Sequence, residues 1–230
     1  MKFVYKIKPE TKRHKIPSHV KEHLSLPAVT PGIKVGLAVL TVIGLDFSGL
    51  ILLPVFNEYT VPDLAGSWLY PIYGLLVLLN LWMLTLIFRK SEKIVLEIIL
   101  FLGCLGGIAA LSYFVCGLFY TFLMIRQPLL LMVLTCLFAA SLYMIFRHYE
   151  RKYTSLKKYE TNITAKIQMS IFTVLIILWG CTAYYFGAYT KYGAAGLVLF
   201  CFGISASFQF LFVHMIHKYF FIKANRLLMD

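Results

Sequence analysis

The chain has 230 residues, of which 60% are hydrophobic and only 14% are charged, and its mean hydropathy is +0.79. Soluble domains are roughly 45–50% apolar and about 25% charged, so a soluble protein of this size could not bury the excess apolar surface. The formal net charge of +12 invites a nucleic-acid partner. However, the charges lie between apolar segments, which favours orientation in a membrane instead.

The first 31 residues form a basic arm that four prolines interrupt: Pro9, Pro17, Pro27 and Pro31. Proline removes a helical hydrogen bond and clashes with the preceding turn, so no long helix is expected in arm 1–31. The arm is too long for the charged region of a signal peptide, and we expect the first apolar segment to be an uncleaved anchor. Two roles remain open for the arm: it binds anionic lipid through its Lys and Arg side chains, or it only enforces topology.

Six segments are long and apolar enough to cross the ~30 Å hydrocarbon core, which takes about 20 residues of helix. They predict an all-α, polytopic, six-helix transmembrane bundle: Ile33–Phe56, Trp68–Phe88, Leu100–Ile125, Leu129–Phe146, Ile167–Tyr189 and Ala194–His217. We expect one transmembrane domain over 32–217 and a short basic cytoplasmic tail over 218–230.

The basic residues predict an orientation for this bundle. Twenty of the 22 Lys and Arg residues lie in the arm, at the first turn of the first span (Lys34), in the tail and in the loops after the second and fourth spans. The three opposite loops hold only Arg126 and Lys191. An excess of Lys and Arg marks the cytoplasmic side, so both termini are predicted to be cytoplasmic, most simply at the plasma (inner) membrane.

The third span is longer than a membrane requires. From Ile94 to Ile125, 32 mostly apolar residues would form a helix of roughly 48 Å, more than the ~40–45 Å of the whole bilayer. We expect this segment to tilt, to begin along the interface, or to break near Gly103, Gly106 and Gly107. Either of the first two puts Glu97 near the cytoplasmic headgroups. Other small residues, including the G-x-x-x-G pair Gly32 and Gly36, predict close helix contacts.

Asp46 lies near the centre of the first predicted span. A carboxylate at that depth costs about 2.5–3.5 kcal/mol on the insertion scale, and none of the six spans carries a Lys or Arg at similar depth. Three explanations remain open. Asp46 is protonated and hydrogen-bonded, it binds a cation or relays a proton, or it pairs with a cation of another subunit.

Two amides lie at a similar depth: Asn80 in the second span and Gln209 in the sixth. Amide side chains bond carboxyl groups across packed helices for about 0.6 kcal/mol. Asp46, Asn80 and Gln209 therefore form a candidate midplane binding site, or they only hold the bundle together.

No metal or cofactor site is predicted. His214 and His217 share a helix face and His148 could lie at the same level, but no carboxylate or cysteine completes a metal-binding motif. The five cysteines lie singly within apolar segments, without a C-x-x-C pair. Interfacial histidine is the simpler interpretation.

Three functions are compatible with this sequence. The first is a small permease-like protein or the membrane subunit of a transport or export system, because transporter sites commonly lie at the midplane. The second is a non-transporting interaction protein, such as an assembly factor, sensor or immunity-type protector, in which Asp46 faces a partner. The third, an intramembrane enzyme, is disfavoured because the loops are too short for a catalytic domain and no hydrolase or protease motif is present. The expected partners are the lipid bilayer and other membrane-protein subunits.

Overall fold

The computed structural model describes residues 6–7, 16–26, 28–49, 62–89, 94–125, 127–154 and 193–226. Within these ranges all regular structure is helical, in six helices: Ser18–Leu24 (α1), Pro31–Thr41 (α2), Pro62–Phe88 (α3), Ile94–Ile125 (α4), Pro128–Thr154 (α5) and Gly193–Ala224 (α6). The α2 helix continues as a π-helical turn, Val42–Asp46, and then as helix to residue 49.

Four described helices are long and apolar enough to cross a membrane: Pro31–Gly49, Ile94–Phe122, Pro128–Tyr153 and Gly196–Ala224. In α3 the side chains are described from Gly74 on, and this apolar part, Gly74–Phe88, is shorter than a span requires. The predicted all-α membrane protein is thus confirmed. The fifth predicted span, Ile167–Tyr189, lies outside the described residues, so the count of six remains a prediction.

Helix α4 is continuous over its 32 residues, so of the three alternatives expected for this segment the break near its glycines is excluded. The glycines instead lie in the largest interface between the described helices, that of α4 with α6. A Cβ on Gly106 would lie 2.8 Å from the backbone nitrogen of Phe212, and one on Gly103 would lie 2.7 Å from the Ile216 side chain. Without side chains, the two backbones approach closely, as small residues allow in membranes.

The first glycine pair behaves differently. A Cβ on Gly36 would meet no heavy atom within 4 Å, and one on Gly32 would meet only the hydroxyl of its neighbour Thr30, at 3.8 Å. The predicted contact through Gly32 and Gly36 was therefore wrong for the described part of the chain. A G-x-x-x-G pair at the first turn of a helix does not face a neighbour merely because of its spacing.

The contacts give the direction of each helix. Gly103 lies against Ile216 whereas Gly117 lies against Phe202, so α4 and α6 are antiparallel. Ser141 bonds Gln209, and further along both helices Tyr153 stacks on His217, so α5 and α6 run parallel.

One end of the bundle therefore collects α1, the beginning of α2 and the ends of α5 and α6, and we call it the arm face. Both described ends of the chain meet here, since the Ile7 N–H donates to Asn225 Oδ1 over 2.7 Å. Lys34 caps α3 at the same face by donating to the carbonyls of Ile87 (2.6 Å) and Arg89 (3.1 Å), where the helix dipole favours a cation.

Part of the basic arm is packed against the bundle. Helix α1 has seven residues, in keeping with the expected absence of a long helix. Its apolar residues Val20 and Leu24 are buried together with Ile7 and Ile16 against α5 and α6. Helices α5 and α6 continue to Thr154 and Ala224, beyond the predicted span ends at Phe146 and His217. The last turns of α5 and α6 are amphipathic and pack against α1. A search for uniformly apolar segments does not detect such turns.

Candidate functional site

The Asp46 carboxylate and the Asn80 amide are brought together where α2 packs on α3. Asn80 Nδ2 donates to Asp46 Oδ1 over 2.8 Å and to the Leu76 carbonyl over 3.0 Å. Asp46 lies roughly 18 Å along the helix axis from Lys34 at the arm face, a little beyond the middle of a ~30 Å hydrocarbon core. Both side chains are partly buried. Among the described residues, Asn80 is the only hydrogen-bonding partner of Asp46.

Asp46 closes the π-helical turn of α2. In this turn the N–H of Phe47 donates to the Val42 carbonyl, five residues back. The buried Tyr113 of α4 donates its hydroxyl to the Ile43 carbonyl over 2.6 Å, which holds the turn from the opposite side. Single π-helical turns inside α-helices are often found at functional sites. A carboxylate, an interrupted helix and an amide thus lie together where α2 packs on α3.

Gln209 does not join this pair. Its Oε1 accepts from the Ser141 hydroxyl over 2.7 Å, and its Nε2 donates to the Phe138 carbonyl at 3.5 Å. These partners belong to α5, and Gln209 lines a cavity of about 260 Å³ with Ser141 and Ser205. The neighbouring residue Phe208 is the one that faces α2, because its ring lies against Gly44. The structure therefore places Gln209 in a separate contact, between α5 and α6.

A second polar cluster lies at the arm face, and the sequence did not predict it. His23 of α1 and His217 of α6 are hydrogen-bonded, with Nε2 and Nδ1 3.1 Å apart, and they are 3% and 1% exposed. The His23 ring stacks on Tyr153 with centroids 4.0 Å apart. Beside them, His214 Nδ1 is 2.9 Å from the Tyr149 hydroxyl. We call these five residues the histidine–tyrosine cluster.

The pKa of His23 is lowered to about 2. The largest cause is burial, followed by the nearby His217 and His214 and then by the cations Lys218 and Lys152. Burial also lowers the pKa of His19, one turn earlier in α1. The imidazole of His23 is therefore neutral at physiological pH, where it serves as a hydrogen-bonding and stacking group.

Two of the cluster histidines were singled out in the sequence, but as interfacial residues. His217 is buried under α1 and His214 is partly buried, so the interfacial interpretation was wrong for His217, whereas His148 is exposed. In the described part of the chain no group of three His, Cys, Asp or Glu side chains has a geometry that could hold a metal ion. The signal that sequence reasoning missed is the pair His19 and His23, which share one face of a short helix between two prolines.

Glu97 lies at the arm face and is exposed. It accepts from Arg89 over 3.1 Å, and both side chains are about half exposed. Exposed pairs of this kind contribute roughly 0–1 kcal/mol, so Glu97 gives no indication of a site inside the membrane.

The sequence matches no protein-family model, and neither a curated protein nor a solved structure matches it. The inferences on function therefore depend on the geometry of this chain alone.

Proposed function

We propose that this protein is a small permease-like multi-pass membrane protein, or the membrane subunit of a transport or export system. The observation that carries the proposal is the Asp46–Asn80 pair at the π-helical turn of α2. Transporters commonly bind their coupling ions near the midplane, where a helix departs from regular geometry and a polar side chain lies beside it. Asp46 binds the proton or monovalent cation in this proposal, and Asn80 orients the carboxylate.

The pair has the chemistry that this role requires. A carboxylate at mid-membrane depth has a large desolvation cost, which a bound proton or cation removes. The Asn80 amide donates one hydrogen bond to Oδ1, and among the described residues no side chain bonds the second oxygen of Asp46, which a ligand could use. Both side chains are only partly buried, so the carboxylate is not sealed within the core of the described helices.

Replacement of Asp46 tests the proposal. Asp46→Asn keeps the size and hydrogen bonding of the side chain and removes its ionisable group. In sealed liposomes with an imposed membrane potential and a trapped pH- or Na⁺-sensitive dye, we expect wild-type protein to carry protons or Na⁺ and the variant to carry neither. The control Glu97→Gln removes an exposed carboxylate and should leave the flux intact. Equal flux through wild-type protein and Asp46→Asn would contradict the proposal.

One observation favours the second function, an interaction protein. Val39, Val42 and Phe47 are between 44% and 52% exposed, so Asp46 lies beside an apolar outer face of α2. A cation from a partner subunit could reach the carboxylate there. Asp46→Asn would then leave that cation buried and unpaired, at a cost of about 3–5 kcal/mol. In this case the variant loses a co-purifying membrane subunit in mild detergent, and the wild-type protein alone carries no ion.

The orientation with both termini in the cytoplasm is part of the proposal. All ten Lys and Arg residues whose side chains the structure describes lie at the arm face or in the arm, and this asymmetry supports a cytoplasmic arm face. The parallel directions of α5 and α6 support an additional crossing between them, for which Ile167–Tyr189 is the apolar candidate.

Single-cysteine labelling on a cysteine-free background checks the orientation. From outside intact cells, cysteines at Asp63 and Lys191 should react with an impermeant maleimide, whereas cysteines at Ser155 and Arg226 should react only after permeabilisation. Arg226 is exposed, so a cysteine there is accessible to the reagent once the membrane is permeable. Labelling at Ser155 with protection at Asp63 would reverse the orientation.

A further inference from the structure

The site that holds α1 is built from groups whose charge state changes with pH. It buries the hydrogen-bonded imidazoles of His23 and His217 between Tyr153 and Phe221. A bond between two imidazole nitrogens needs one N–H donor and one lone pair, and it is lost when both rings are protonated. The contact that fixes α1 therefore requires that at least one of the two rings is neutral.

The surroundings oppose protonation of either ring. The described titratable and charged groups that face the pair come from three helices: His19 and Glu22 of α1, Tyr149, Lys152 and Tyr153 of α5, and His214 and Lys218 of α6. Of these, only Glu22 is a carboxylate, and it is exposed. Both lysines repel an imidazolium, and burial deprives it of water.

We propose that α1 is a pH-released clamp, in which protonation of the His23–His217 pair detaches α1 from α5 and α6 and frees the N-terminal arm. The proposal does not depend on what Asp46 binds. Once detached, both imidazoles are hydrated and regain affinity for protons, so each proton taken up favours the detached state. Freed in this way, the arm presents its Lys and Arg side chains to the membrane surface.

The direction in which pH changes the docking of α1 follows from the linkage between docking and proton binding. The low pKa of His23 in the docked state means that the detached state binds more protons below about pH 6.5, so docking is fully stable above that pH and weakens as the pH falls. From pH 7.5 to pH 5.5, one histidine shifts the docking equilibrium roughly tenfold and two shift it up to about a hundredfold.

Hydrogen exchange of the full-length protein in lipid nanodiscs tests the clamp, after correction for the intrinsic pH dependence of amide exchange. In wild-type protein, we expect protection of the α1 amides to fall at least tenfold between pH 7.5 and pH 5.5, while protection of α4 stays constant. Unchanged protection of α1 overturns the proposal.

Three variants separate the clamp from general loosening at low pH. His23→Phe keeps a ring for stacking on Tyr153 and removes one titrating group, so the fall in protection should shrink by about tenfold. His217→Phe added to it should shrink the fall further, down to what His19 still contributes. If the double variant does not dock, the single variant alone tests the proposal. His148→Phe, which replaces an exposed histidine, should retain the full wild-type response. A fall of wild-type size in His23→Phe overturns the proposal.

Discussion

Replacement of Gly106 by alanine should lower the free energy of unfolding by about 2 kcal/mol, within the range of overpacked cores. The new methyl group would lie 2.8 Å from the nitrogen and 3.1 Å from the Cα of Phe212, and 3.2 Å from the carbonyl oxygen of Phe208. These are backbone atoms of α6, so no side-chain rotation can relieve the clash. The two longest described helices would have to separate.

The matched control is Gly36→Ala. It makes the same chemical change within a helix, but its methyl group meets no heavy atom within 4 Å. Alanine is favoured over glycine inside helices by roughly 0.5–1 kcal/mol, so this variant should be neutral or slightly stabilised. Thermal unfolding of both proteins in the same detergent measures the difference. Equal melting temperatures would mean that α4 and α6 are not as closely packed as Gly106 indicates.

Val20→Asn should detach α1 at neutral pH, without any change of charge. Val20 is 1% exposed and packs with Tyr149, Tyr153 and Phe221 at the arm face. Loss of its apolar burial removes about 1.5–3 kcal/mol, and burying an unpaired amide adds roughly 1–3 kcal/mol. A helix of seven residues makes too few contacts to stay docked after losing this much binding free energy.

Ser18→Asn introduces the same amide at an exposed position of the same helix and should leave α1 docked. Hydrogen exchange at pH 7.5 should show full loss of α1 protection in Val20→Asn and wild-type protection in Ser18→Asn. Protection that survives in Val20→Asn would show that the histidine–tyrosine cluster alone holds α1.

Composition was sufficient to predict the membrane and the helical class, because a long apolar segment in lipid has to satisfy its own backbone hydrogen bonds. Asp46 and Asn80 were identified for a related reason. A polar side chain deep inside an apolar span seldom occurs without a structural or functional role. The structure joins these two side chains by a hydrogen bond.

The rotation of each helix about its own axis could not be predicted from the sequence in this way. Whether Gln209 or its neighbour Phe208 faces α2 is decided by packing across α4 and α6, about which hydropathy says nothing. The same ambiguity affected Gly103 and Gly106, since a glycine is equally suited to a helix break and to a close helix contact. His23 was missed because its partner His217 is 194 residues away and because short helices in basic, proline-rich segments carry little periodic signal.

The hydrogen bond between Ile7 and Asn225 spans 218 residues, which has a consequence for biosynthesis. The surface that receives α1 includes Val213, His217 and Phe221, and His217 is synthesised 194 residues after its partner His23. At about 5–20 residues per second, the basic arm spends roughly 10–45 s without its docking surface. During that time its lysines are available to the translocation machinery and to nascent-chain chaperones.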